Sequence, residues 1–170
     1  MKNLAVAIRE GLVLLDPVAR NLEDVLSQVV VFLSGEQVVP EDKQDEVMRT
    51  LIERERLGST AIGHGVAIPH AYVDGVERPV VVFVRLKRPI EIGATDKEPT
   101  RDLFVLVGPT GQVDAHLDTL ASIARAMSDN DLRYDLGAAK SVEDVHRAFD
   151  GYMERIAPPK PGATEGVPDG

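Results

Sequence analysis

Between Asn21 and Ser34, apolar side chains at Leu22, Val25, Leu26, Val29 and Val30 return at intervals of three and four, which places them on one face of a helix. Asn21 has the side-chain oxygen that an N-cap needs, and Asp24 adds negative charge where the helix dipole favours it. The run Val29-Val30-Val31-Phe32-Leu33 is also compatible with a strand, but the periodic turn before it favours helix. A second helix is expected from about Glu41 to Leu57, with Val47, Met48, Leu51, Ile52 and Glu55 along one side and Gly58 as its stop.

The pattern then changes. Thr60 to His70 mixes β-favouring residues with two glycines and a proline, and reads as a loop with a short strand. Pro79 to Leu86 and Asp102 to Gly108 are apolar through their centres, as strands covered on both faces are. Ile90-Glu91-Ile92 reads as a separate short strand. Helical spacing resumes from about Asp114 to Ser128, with Leu117, Leu120, Ala121, Ala124 and Met127 on one face. A short helix follows from Asp131 to Ala139. Ser141 caps a last one from Val142 to Ile156, in which Val145, Phe149 and Met153 recur every four residues. Helices before and after a run of strands imply a sheet with helices packed on it, an α/β sandwich.

The tail from Ala157 to Gly170 holds four prolines and three glycines with almost nothing apolar, and is expected to be a disordered tail or linker. One domain over residues 1–156 is therefore expected, of a length that buries a sizeable core without staples. With aromatics at 4% and no Trp, that core must be Val, Leu, Ile and Ala. The absence of Cys excludes a disulfide framework and a cysteine nucleophile, and fits a cytoplasmic setting. The N-terminus does not read as a signal peptide, and no apolar run is long enough to span a bilayer. A net charge of −9 without a basic stripe argues against nucleic-acid binding.

No nucleotide-cradling glycine loop, H-E-x-x-H or G-x-S-x-G is present. The histidines stand out instead. His70 follows Pro69, whose ring fixes its own φ and biases Ile68 toward extended backbone, so the approach to His70 is stiff. Imidazole is a good phosphoryl acceptor. On chemistry alone, a strand-end histidine satisfied by a local hydrogen bond is the stronger reading. His116 is expected in the first turn of its helix, with Asp114 as N-cap, where free N–H groups favour anions. Arg54 suits phosphate recognition, and Ser59 and Thr60 carry hydroxyls that either reach a phosphoryl group or make a turn. A three-histidine metal site from His64, His70 and His116 lacks a carboxylate at ligand spacing, so no metal and no other cofactor is expected.

The stretch Arg54-Glu55-Arg56-Leu57-Gly58-Ser59-Thr60-Ala61-Ile62-Gly63-His64-Gly65-Val66-Ala67-Ile68-Pro69-His70 resembles the motif of enzyme IIA domains of the fructose/mannitol type, including the nitrogen-regulatory IIA proteins of the phosphoenolpyruvate-dependent phosphotransferase system. The similarity extends through Arg78 to Val81, Ile90 to Ala94, Leu103 to Val107, and His116-Leu117 ahead of Leu120-Ala121, roughly residues 4 to 156. It implies an α/β fold with a central mixed β-sheet flanked by helices on both faces. It also implies a phosphotransferase step in which His70 is phosphorylated, His116 supports the phosphoryl group, and Arg54 adds positive charge. Ser59, Thr60 and His64 are then candidates for phosphoryl or partner contact; His64 stands where many relatives have Asn. The implied partners are an HPr-like histidine phosphocarrier as donor and a IIB domain or a regulated target as acceptor. The tail leaves a second expectation: cytosolic domains of anion (bicarbonate-type) transporters share this fold. On that reading the module would regulate an attached membrane domain and be tethered at the membrane's inner face.

Overall fold

The structure, a computed structural model, describes residues 4–159. Two long strands, β5 (Val80–Ile90) and β6 (Thr100–Gly108), form its antiparallel centre, with Val80 opposite Val107 and Arg85 opposite Asp102. A short strand β1 (Leu12–Leu15) lies parallel to β5 on one side. On the other, β3 (Val66–Ala67) and β4 (His70–Tyr72) run parallel to β6 one after the other, and β2 (Ala61–Gly63) pairs antiparallel with β3 at the edge. The sheet is thus mixed, with six strands.

Alternation along the strands splits the interior into two cores. Val82, Val84, Leu103, Val105 and Val107 face α2 (Leu22–Gly35) and α3 (Gln44–Leu57). Val81, Phe83, Phe104 and Leu106 face α1 (Leu4–Glu10), α4 (Val113–Ala126), α5 (Asn130–Ala138) and α6 (Val142–Ile156). In the second core Phe83, Phe104 and Phe149 cluster with centroids 5.1 to 6.4 Å apart, Phe149 meeting the other two rings edge-on. The sheet is covered by helices on both faces, as expected.

Local chemistry sets several boundaries. Asn21 Oδ1 accepts from the Asp24 amide at 2.9 Å and Ser141 Oγ from the Asp144 amide at 3.1 Å, both as anticipated. Such a cap is worth about 1 kcal/mol. Arg85 is the one buried cation among the described residues. Its guanidinium closes the C-terminal end of α5, donating to the carbonyls of Leu136 at 3.0 Å and of Ala139, and it pairs with Asp16 at 3.2 Å.

The Val29 to Leu33 run is helical, as expected. Other boundaries differ from expectation. The segment expected to be helical from Glu41 begins as a 3-10 turn over Glu41–Lys43. Its other end is as expected: Gly58 stops α3 after Leu57, in extended backbone at φ 162°. Ile90 belongs to β5, which continues through a register shift past Arg85, and no separate strand forms over 90–92. The N-cap of α4 is Gln112, not Asp114, which lies in the first turn. The apolar face of α4 is shared between core and surface: Met127 is buried and Leu120 packs against the second core, whereas Leu117 is 54% exposed; His116, Ile123 and Ala126 also turn inward. Leu120, Ala121 and Ala124 line a cleft, as described below. Helix α1 and strand β1 carry no assignment in the hydrophobic pattern. Gly11 permits their tight junction, because a Cβ there would lie 2.3 Å from the Val81 carbonyl oxygen. The expected tail falls outside the described residues from Lys160 onward.

Candidate phosphoryl-acceptor site

β3 and β4 are two halves of one line of chain beside β6, broken at Ile68-Pro69. Proline has no N–H to give the ladder, but its carbonyl accepts from the Leu106 amide at 2.9 Å, so the break stays tied to the sheet. His70 is the first residue after it. Its Nδ1 lies 2.9 Å from the Ile68 carbonyl oxygen, which accepts only, so Nδ1 carries the proton. The Nε2 lone pair then points away from the backbone. Arg54 Nε donates to it at 3.3 Å, while Arg54 Nη1 donates to the Gly58 carbonyl at 2.9 Å. The arginine is thereby held across the end of α3 with its guanidinium on the candidate nucleophile.

Glu55 supports this arrangement. Its carboxylate accepts from the Thr60 amide at 2.9 Å and the Thr60 hydroxyl at 2.7 Å, fastening the end of α3 to the turn that leads into β2. Ser59 Oγ donates to the Ile92 carbonyl at 3.3 Å and accepts from the Ala61 amide at 3.2 Å. Both hydroxyl protons are therefore committed within the protein: Ser59 and Thr60 line the site as turn-makers. His64 stands apart from it. It is exposed at the tip of the β2–β3 hairpin, where His64 and Gly65 take φ of 57° and 71°, the sign pattern of a type I′ turn. Its backbone amide donates to Asp96 at 3.0 Å.

A cleft of about 360 Å³ opens in front of His70. Arg54 and His70 supply its polar wall; Ile62, Ile68, Leu120, Ala121 and Ala124 make the remainder largely apolar.

His116 reaches the same region from the first turns of α4, but from beneath. Its side chain is fully buried, and neither ring nitrogen has a hydrogen-bond partner. One edge lies against Gly108, where a Cβ would come within 2.4 Å of Nε2. Tyr72 lies over it with ring centroids 4.4 Å apart. Burial, and secondarily the neighbouring His70, pull the His116 pKa from its usual 6.5 down to about 4, so the ring is neutral at physiological pH. Burial likewise raises the pKa of the Tyr72 hydroxyl, against a smaller opposing pull from Arg54. Thus Arg54, His70 and His116, from three elements far apart in sequence, meet here. Glu55, Tyr72 and Gly108 complete the site and were not singled out from sequence.

An imidazole with its free nitrogen toward an arginine at the edge of a cleft is chemically able to accept a phosphoryl group, the capacity that defines phosphocarrier domains. The chain belongs to the family described as phosphoenolpyruvate-dependent sugar phosphotransferase system, EIIA 2, whose model matches residues 7–151.

Among individual proteins, it is 36% identical over 124 residues to the nitrogen regulatory protein of Escherichia coli, covering 72% of this chain and 69% of that one. The nitrogen regulatory protein of Bradyrhizobium diazoefficiens is 39% identical over 100 residues, which are 59% of this chain; the chain spans 65% of that relative's length. The crystal structure of the nitrogen regulatory protein IIA-Ntr from Neisseria meningitidis superposes with a TM-score of 0.74 at 28% identity, covering 86% of this chain and 94% of that one.

Proposed function

We propose that this chain is a phosphocarrier that accepts a phosphoryl group on His70 Nε2 from a phosphohistidine carrier of the HPr type and uses it chiefly as a regulatory signal. The observation that carries this reading is the paired orientation of His70, with Nδ1–H fixed on the Ile68 carbonyl and the Nε2 lone pair facing Arg54 and the cleft. In the transfer, the Nε2 lone pair forms the new bond to phosphorus while the donor's nitrogen–phosphorus bond breaks, its electron pair staying with the donor imidazole. Nδ1 keeps its proton throughout, so the phosphorylated ring gains a positive charge, and the donor ring, protonated on its other nitrogen, leaves as neutral imidazole. Once Nε2 is bonded to phosphorus, Arg54 Nε loses its acceptor and turns to the phosphoryl oxygens, adding charge stabilisation where it develops. Those residues need neither nucleotide nor metal for this step.

A regulatory output, at a target protein rather than a sugar-transporting IIB domain, is favoured by the similarity to proteins named for nitrogen regulation. The apolar wall of the cleft suits a protein donor, which must cover the reacting nitrogen and exclude water. Among the described residues no helix is long and apolar enough to cross a membrane, and a cytoplasmic carrier is the reading that fits a phosphoenolpyruvate-driven chain.

The test is incubation with phosphoenolpyruvate, enzyme I and the histidine carrier. The expected product is one acid-labile, base-stable phosphate per chain, absent in His70→Ala. Undiminished labelling of His70→Ala would sink the assignment.

A further inference from the structure

His116 is poorly placed for the supporting role the family resemblance implies. It is stowed under α4, with both nitrogens buried and unpartnered. A neutral imidazole has one donor and one acceptor, and folded proteins rarely leave both unused. The arrangement makes sense as one of two positions, the other offering His116 an acceptor.

What holds it in this one is specific to a few atoms. Tyr72 lies two residues beyond His70 on β4, so both side chains project to the same face of the sheet. The register partner of Tyr72 on β6 is Gly108. The missing Cβ at Gly108 opens a slot that the His116 ring fills, and the Tyr72 ring roofs that slot. Tyr72 also meets His70 edge-on, with centroids 6.4 Å apart and planes at 75°. It is therefore the ring that both histidines touch, and it is only half-buried, so it has room to swing outward. The titratable groups facing His116 are His70 and Tyr72 of β4, with Arg54 of α3 acting on Tyr72 from the far side. β6 faces it with the Gly108 backbone, and Asp114 and Asp118 of α4 itself are exposed.

We propose that Tyr72 is a positioning residue for phosphoryl transfer, a gate whose ring keeps His116 stowed against Gly108 until a phosphoryl group on His70 provides the missing acceptor. On arrival of that group the Tyr72 ring moves off, and a His116 N–H donates to a phosphoryl oxygen. Before it, the roof denies water and protons access to His116. This inference rests on the phosphocarrier reading.

The test compares wild type, Tyr72→Phe, Tyr72→Leu and Tyr72→Ala by NMR of the imidazole nitrogens. In the unphosphorylated proteins, His116 is expected to titrate near pH 4 in wild type and Tyr72→Phe, and to move toward 6.5 in Tyr72→Ala. Transfer from the carrier should acquire a pH inflection near that higher value in Tyr72→Ala and, by a smaller shift, in Tyr72→Leu, whose side chain covers less of the imidazole than an aromatic ring; it should not in Tyr72→Phe. A merely structural role would lower transfer evenly across pH, and the leucine variant carries the test if the alanine variant does not fold. In wild type, magnetisation transfer between the Tyr72 and His116 rings should be present before phosphorylation and lost after it. Persistence of that contact in the phosphorylated protein, or His116 titrating alike in all four proteins, would overturn the gate. Failure of His70 to label in wild type would instead overturn the phosphocarrier reading, while the titration arm would still report whether Tyr72 shields His116.

Discussion

Replacing His116 by methionine should make this protein more stable while impairing its chemistry. At neutral pH the wild-type ring is buried and uncharged with one donor and one acceptor unmade. Leaving a buried polar group unpaired costs about 1–3 kcal/mol. Methionine has similar volume, no strong polar atom and enough flexibility to fill a slot between an aromatic ring and a glycine. A gain of about 2 kcal/mol at pH 7 is therefore expected. The pH dependence sharpens the prediction. Because the folded-state pKa is depressed to about 4 from 6.5, the unfolded chain binds a proton between those values that the folded chain does not. Stability is full above the unfolded pKa and declines as pH falls through the window, by about 1.4 kcal/mol per pH unit, or about 3 kcal/mol in all. The methionine variant lacks this group. Its advantage should widen from about 2 kcal/mol near pH 7 to about 5 kcal/mol near pH 4. Urea unfolding at both pH values, with equal denaturant slopes, reads this difference, and titrating carboxylates common to both proteins cancel in the subtraction. A variant less stable than wild type at pH 7, or an advantage that stays constant with pH, would refute the account of His116 as a buried, unpaired, neutral ring. Phosphoryl transfer, assayed in parallel, should fall in the variant even as stability rises.

Arg54→Gln keeps a donor near Gly58 but removes the charge and the Nε donor to His70; initial rates of labelling from the phosphorylated carrier should drop about 10²–10³-fold with an unchanged circular dichroism spectrum. Glu55→Gln preserves shape but weakens both bonds to Thr60, and should cost about 1–2 kcal/mol, read by denaturation, with earlier hydrogen exchange at the Thr60 amide.

Helices α2 and α6 were legible because cap, period and core agree in them: Asn21 and Ser141 each bond the third amide onward, and the periodic valines turn inward. In helix α4 the apolar face found by its period is divided between the core, which takes Met127, and a cleft. Apolar periodicity locates a surface that avoids water, and it does not say whether the protein's own core or a cleft provides the shelter. Leu120, Ala121 and Ala124 find it beside His70, and a histidine takes the inward place. Segments α1 and β1 are too short to carry a period; their structure follows from packing on α6 and pairing with β5. At the site, His70 and Arg54 carry suitable chemistry, but on chemistry alone an ordinary strand-end histidine and a solvated helix arginine are the stronger readings; it is the long motif joining them and its family resemblance that single them out. Glu55 and Tyr72 could not be singled out: the period places Glu55 on the apolar side of its helix without naming Thr60 as its partner, and nothing in the pattern after His70 marks Tyr72 as the ring that will lie on His116. Ser59 and Thr60 drew attention as possible donors to phosphate, yet their protons are spent on Ile92 and Glu55.

The strand that carries His70 has one hydrogen-bonded neighbour, β6, and β6 is made some thirty residues later. During synthesis, therefore, His70 leaves the ribosome before the edge that will hold it exists. β4 and β3 wait for residues 100–108, and His116 arrives later still. No partial chain ending before α4 can present the assembled constellation, so a donor that recognises it distinguishes finished molecules from unfinished ones. Labelling of His70 would then serve as an assay of completed folding, since the slowest contacts to form, those between distant parts of the chain, are the ones the chemistry requires.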